Sequence, residues 1–290
     1  MVLLLVALVS FIIFRYVGNP VDNILGQEAT MAQRAALEDA LGLNQPIYLQ
    51  YFNLLPEKYL NSSAIGFDAG CGSGRWAKFV APKVKNLYCF DPSQKALNVA
   101  QRNLSNFNNC FFECKSINEF SVLDESMDFG YCLGVLHHLP NTLSALSHCV
   151  SKLKKGAPFL LYIYYKFDNK PLWFKFIWRC VDINRKLICR FPFKLKLVIT
   201  RLIAILIYFP LARLAFILEL LGMNVSNIPL SDYRKKTFYF MCTDALDRFG
   251  TKLEKRFTKL EISSMMTKSG LSKIEFSNAT PFWVAIGYKK

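Results

Sequence analysis

The run Phe67-Asp68-Ala69-Gly70-Cys71-Gly72-Ser73-Gly74, followed by Phe90-Asp91-Pro92, constrains this chain more than any other feature. It reads as a strand end, a glycine turn, a helix start and a second strand end that carries an acid. Gly70 and Gly72 let the backbone turn sharply and approach a ligand with no Cβ in the way, and Gly74 lets the following helix pack close. A helix entered at Arg75 would aim its unpaired N–H groups at that ligand. Asp91 follows Gly74 by 17 residues, near the spacing at which the second strand of such a unit offers a carboxylate to ribose hydroxyls. The pairing implies an α/β fold that holds a nucleotide-like cofactor.

A dinucleotide-binding turn more often reads G-x-G-x-x-G, whereas Gly70 to Gly74 is G-x-G-x-G with an acid two residues ahead of it. In this it resembles the class I S-adenosylmethionine-dependent methyltransferases. The resemblance implies that Asp68 lies near the amino group of the cofactor's methionine. It further implies that Gly70, Cys71, Gly72, Ser73 and Gly74 hold the methionyl and ribose region, and that Asp91, beside Pro92, binds the ribose. Cys71 is then a turn residue and not a nucleophile. The resemblance continues from Ser126 to Pro140, which is similar to the fourth strand and following loop of the type 11 subgroup and adds Leu133 and Gly134 to the cofactor set. Near the end of the third strand the family often has Asp; Ser116, next to Ile117, stands there instead. The apolar run Phe159 to Tyr165 supplies a fifth strand, and Ile262 to Phe276 with Phe282 to Tyr288 supplies the last hairpin. The expected fold is a Rossmann-like seven-stranded methyltransferase sheet, α/β in class, with a helical insertion before the last hairpin. A nicotinamide enzyme fits less well, because no second glycine signature of that kind appears.

Methyl transfer rests mainly on positioning, since the cofactor supplies the driving force. His137 and His138, just beyond the fourth strand, are the candidate catalytic bases, with a packing role for each as the alternative. Tyr164, Tyr165, Lys166 and Asp168 face the same crevice at the strand ends and are candidate substrate contacts. Nine cysteines are scattered without a C-x-x-C pair and only three histidines are present, so no metal site is expected and the thiols read as reduced.

Residues 1–17 are expected to form a membrane helix: Val2 to Phe14 is apolar apart from Ser10, and no basic start or small-residue cleavage site marks a signal peptide. Gly18 to Asp22, Leu25 to Gln27, Ala35 to Leu37, and Leu41 through Gln50-Tyr51 resemble the amino-terminal segment of peptide-type ABC transporter permeases. That resemblance stops near Leu55, so residues 18–56 are expected to be a permease-like linker appended to a cofactor-binding core at 57–165. A basic helical insertion is expected over 166–236 and the rest of the sheet domain over 237–290. The net charge is uneven: residues 1–56 hold two basic and four acidic residues, residues 166–236 fourteen and four. Within the insertion, Leu172, Trp173, Phe176, Ile177 and Cys180 recur at helical spacing beside Lys175, Arg179, Arg185 and Lys186, and Pro210 would kink a second helix. Charge interleaved with large aliphatics fits either a helical lid packed on the domain or a lid lying in a membrane surface, with a true span and nucleic-acid binding the lesser readings. The expected function is methyl transfer from S-adenosylmethionine to a small or lipid-linked amphipathic acceptor by a membrane-associated protein whose catalytic domain is cytoplasmic. The alternatives are a non-catalytic, membrane-tethered cofactor-binding or assembly protein and, third, a fragment of a permease.

Overall fold

The computed structural model describes residues 45–290 apart from Ser226, Asn227 and Thr280. The expected membrane helix at 1–17 and most of the permease-like segment lie outside the described residues. What is described falls into two compact units: a sheet unit of residues 45–168 with 253–290, and a helical unit of residues 169–252.

In the sheet unit, seven strands run β1 Ile65–Ala69, β2 Asn86–Phe90, β3 Cys110–Glu113, β4 Phe129–Leu133, β5 Pro158–Tyr162, β6 Leu271–Phe276 and β7 Val284–Lys289. They lie side by side in the order β3-β2-β1-β4-β5-β7-β6. The pairs β1–β2, β2–β3, β1–β4 and β4–β5 are parallel, and β7 runs antiparallel to both β5 and β6. Both faces of the central strands are covered, which is why β4 is buried at every position and reads as an unbroken apolar run. Alternate residues feed two cores. Phe67, Phe90 and Phe159 pack with Phe120, Leu146, Ile262 and Met266 on one face. Leu87, Cys89, Phe129, Tyr131 and Leu160 pack on the other. The winding direction reverses between β1 and β4, and that is where a crevice opens beyond the carboxyl ends of parallel strands.

The second core corrects one expected boundary. Tyr48 and Phe52, from the helix Gln45–Phe52, are buried in it together with Leu55. Tyr48 stacks on Phe52 and on Phe79, and Phe52 meets the Tyr131 ring edge-on. Residues 45–56 therefore belong to the sheet unit and are not a linker; their aromatic side chains close one face of the sheet.

The insertion is also displaced from its expected limits. Lys166 stays with the sheet unit, where its N–H donates to the Phe257 carbonyl at 2.9 Å while the Phe257 N–H donates to the Tyr164 carbonyl at 2.9 Å. Asp168 accepts from the Lys259 N–H at 3.0 Å and from Trp283 Nε1 at 2.9 Å. The helical unit begins after it and takes in Leu172–Ile188, a continuous 28-residue helix Phe193–Leu220 with a π-turn at Ala204–Tyr208, and Phe238–Gly250. The last of these was expected in the sheet domain. It belongs here because Met241, Ala245 and Phe249 bury themselves against Ile188, Ala204, Tyr208 and Ala212. Pro210 sits in the first turn after the π-turn, where its missing N–H is accommodated without ending the helix. Gly222, at φ +80°, ends it.

Arg185, expected among the solvent-facing cations, is 4% exposed. It pairs with Asp182 at 2.8 Å and donates through Nη1 to the Thr251 carbonyl at 2.9 Å, so it ties the first helix of the unit to the end of the last.

Candidate functional site

β1 delivers Asp68 and then the glycine turn to the crevice; β2 delivers Asp91 beside it. The turn is held by paired backbone groups, the Gly70 and Cys71 N–H both donating to the Phe90 carbonyl at 2.7 and 3.0 Å. Asp91 Oδ2 accepts from the Gly72 N–H at 3.0 Å and Oδ1 from the Ser93 N–H at 2.8 Å, so one carboxylate spans the two loops. The helix expected from Arg75 starts only at Ala77 and lasts one turn, to Val80. The cradle is consequently made of turn amides and not of a helix end.

The glycines divide by role. Gly70 and Gly74 face protein: a Cβ at Gly70 would lie 2.5 Å from Val135, and one at Gly74 would lie 2.9 Å from Leu104 at the end of the Gln94–Asn103 helix. That helix, after β2, is the one whose close approach Gly74 permits. Gly72 (φ +54°) and Gly134 (φ +79°) have nothing within 4 Å of a Cβ, so both leave open space beside the strand ends. Asp68 is 1% exposed, and its Oδ2 has no hydrogen-bond partner in the protein. Burial pushes its pKa up to about 8; the nearby Tyr131 hydroxyl opposes the shift, and Asp91 adds to it. A buried carboxyl with one unpartnered oxygen, beside an open glycine cradle, suits a ligand that carries an ammonium group.

Residues 67–156 match the sequence profile of a family described as a methyltransferase domain. The chain therefore carries a methyltransferase domain. The matched segment runs from Asp68's neighbour in β1 to the turn before β5, so the glycine cradle, Asp91 and both histidines lie inside it. No curated protein matches the chain. Among solved structures, a possible exported protein from Bordetella parapertussis shares the fold at TM-score 0.50 and 12% identity, over 90% of this chain and 70% of that one. An S-adenosylmethionine-dependent methyltransferase from Thermotoga maritima, described as a possible histamine N-methyltransferase, aligns at TM-score 0.47 and 16% identity, over 88% and 95%. The N-methyltransferase NodS from Bradyrhizobium japonicum WM9, solved with S-adenosylhomocysteine, aligns at 0.38 and 15%, over 53% and 69%. The likeness is one of fold.

S-adenosylmethionine is the cofactor expected of a methyltransferase domain, and the open space at Gly72 and Gly134 beside Asp68 and Asp91 fits it. Ser116 and Ile117 follow β3 at the same edge of the sheet: Ser116 Oγ donates to Glu119 at 2.9 Å and Ile117 is buried. Leu133 closes β4, and the Gly134 N–H donates to the Tyr162 carbonyl at 2.9 Å. Cys71 is buried, in keeping with a turn residue; Ser73 offers its carbonyl to Asn103 Nδ2 at 3.0 Å; the Pro92 carbonyl faces the Cys114 thiol.

The two histidines of the methyltransferase differ. His137 is fully buried, stacks on Tyr164 with centroids 3.8 Å apart, and has no partner for either ring nitrogen. Burial first, then His138 and Arg256, push its pKa down to about 2, so it is a neutral packing group. His138 Nδ1 lies 2.9 Å from the Leu253 carbonyl. A carbonyl only accepts, so Nδ1 is the donor of this bond, and the neutral tautomer that makes it has its lone pair on Nε2.

Of the other candidate contacts, Asp168 is committed to Lys259 and Trp283, and Lys166 reaches Glu261 at 3.7 Å. Arg234 and Lys235 both pair with Glu219, at 2.9 and 3.1 Å. Sequence reasoning named Tyr164 but missed the aromatic rings that continue from it: Tyr162 meets Tyr164, and Tyr51 packs on Trp76 and edge-on to Tyr162. It also missed Tyr131 beside Asp68. A hydroxyl in the middle of the otherwise apolar Phe129–Leu133 run was the available signal.

Proposed function

We propose that this methyltransferase acts on an amphipathic acceptor, lipid-linked or a small apolar molecule, at the cytoplasmic surface of a membrane. One observation carries the reading. Among the described residues, every large exposed hydrophobic except Leu49, Phe111, Leu123, Leu253 and Leu260 lies in the helical unit. An apolar surface on that scale marks an interaction site. The unit is inserted directly after the strand whose end helps to build the crevice, and it holds fifteen basic against five acidic residues. Nine free cysteines, five of them buried, support a reducing compartment.

In this reading Asp68 receives the cofactor's ammonium group, Asp91 its ribose hydroxyls, and Ser116 with Ile117 its adenine side. When bound, S-adenosylmethionine supplies an electrophilic methyl group. The chain's own residues hold the acceptor in line, keep water out with the Tyr51, Tyr162 and Tyr164 rings, and take up the proton that the acceptor loses. His138 Nε2 is the group suited to that last task, in place of His137. His138→Gln should therefore lower kcat and leave the Kd for the cofactor unchanged.

S-adenosylhomocysteine release tests the acceptor class. The full chain is given either a total lipid extract or the aqueous metabolites of the same cells. Turnover stimulated by the lipid extract is expected; turnover with the aqueous fraction alone would show that the acceptor is neither lipid-linked nor apolar.

A further inference from the structure

The helical unit carries a second inference, about how it meets a membrane, which deepens the reading above and rests on it. Phe193–Leu220 is the one helix among the described residues that is long and apolar enough to cross a bilayer by length and composition. Length alone does not decide what it does, because two further observations bear on it.

The first is a matter of parity. The chain leaves the sheet unit after Asp168 and returns to it at Leu253, and the two exits are pinned together: Tyr165 bridges Phe257 in parallel register, with backbone hydrogen bonds on both sides. A segment that starts and ends on the same side of a membrane crosses it an even number of times. A single crossing by Phe193–Leu220 is excluded unless a second element of the unit crosses too. The Leu172–Ile188 helix holds Lys175, Arg179, Asp182, Arg185 and Lys186, and the Phe238–Gly250 helix spans 13 residues that include Asp244, Asp247 and Arg248. Neither can sit in hydrocarbon.

The second observation is how the long helix is packed. Thr200, Ala204, Tyr208, Ala212, Ala215 and Phe216 form its buried side. That side rests on the Phe238–Gly250 helix, and Tyr208 donates to Asp244 at 3.3 Å. Its other side exposes Leu202, Ile205, Leu206, Phe209, Ile217 and Leu220, with Leu206 70% exposed. One long side is thus protein-covered and polar-backed, and the opposite side is apolar along its length. Lys194 and Arg201 are exposed on the same helix and Arg190 is exposed just before its start, and these cations complement an anionic surface.

We propose that Phe193–Leu220 lies in the plane of one leaflet of an anionic membrane, its exposed apolar side in the acyl layer, and crosses nothing. The π-turn keeps that side continuous past Pro210. The occupant of the apolar side is therefore lipid, and a second protein copy or a partner helix is the competing outcome.

The test uses the full chain in sealed vesicles of phosphatidylcholine and phosphatidylglycerol. Lys194→Cys and Met223→Cys place thiols near the two ends of the helix, and exposed Cys114 reports the side on which the sheet unit lies. A membrane-impermeant maleimide added outside, followed by mass spectrometry, should label both engineered thiols whenever it labels Cys114. In Leu206→Trp protein, acyl-brominated lipids should quench the added fluorescence. Labelling of one end without the other would establish a crossing, and unquenched Leu206→Trp fluorescence would show that protein covers this side; either result overturns the proposal. Lipid-stimulated methyl transfer is scored separately, so an apolar acceptor can fail while the in-plane helix stands.

Discussion

Asp68 is the residue that best tests the candidate cofactor site, because its carboxyl is held neutral well above its ordinary range. A raised pKa means that the folded protein binds more protons than the unfolded chain between about pH 4 and pH 8, so ionising Asp68 costs stability as the pH rises through that window. A cationic ligand that pairs with the carboxylate reverses this. Affinity for S-adenosylmethionine should accordingly rise from pH 6 towards pH 8, by up to about tenfold per unit, and level off above. Calorimetry in buffers of different ionisation enthalpy should detect a released proton, and Asp68→Asn should abolish both the pH slope and the release. Unaltered pH dependence in that variant would remove Asp68 from the site. Gly72 gives a complementary result. Its open side and positive φ mean that Gly72→Val strains the turn by about 1–2 kcal/mol while filling the cradle. Thermal unfolding should shift by a few degrees only, yet cofactor binding should be lost.

At the scale of elements, the Gln45–Phe52 helix matters most. Tyr48 and Phe52 are buried against Phe79 and Tyr131, so Phe52→Ala should destabilise the protein by about 3–5 kcal/mol. Removal of residues 1–44 should leave cofactor binding intact, and removal of 1–56 should abolish folding; circular dichroism and calorimetry on the two truncations distinguish them. This helix was illegible in the sequence for a physical reason. Its neighbourhood reads as a permease-like segment, and Tyr48, Tyr51 and Phe52 reveal a role only once β4 and β5 place Tyr131 and Tyr162 opposite them. The strands, by contrast, were legible. Glycine turns and apolar runs of strand length are local signals, so the placement of Asp68, the Gly70–Gly74 turn and Asp91 together at the ends of β1 and β2 could be read. The acceptor side could not. That His137 is buried against Tyr164 while His138 is oriented by Leu253 depends on a contact 115 residues away. The end of the insertion was misplaced likewise, because the Phe238–Gly250 helix is assigned by the partners of Met241 and Ala245 and not by its own pattern.

Over the whole molecule, the sheet unit is closed by pairing between the segments on either side of the insertion. Replacing residues 169–252 by a short Gly/Ser linker from Asp168 to Leu253 should leave a folded protein that still binds S-adenosylmethionine. The shorter connection lowers the entropy cost of closing the loop, by on the order of 2 kcal/mol. Near-native cofactor affinity is expected by calorimetry, together with loss of vesicle binding through the helical unit. Aggregation of the shortened protein, or loss of its cofactor site, would show that the sheet unit depends on the helices. Because Tyr165 and Phe257 sit side by side, the break points behave like the two contacts of a socket. A lineage could exchange one helical cassette for another by recombination at residues 168 and 253, while the sheet unit with its glycine turn and Asp91 is inherited untouched.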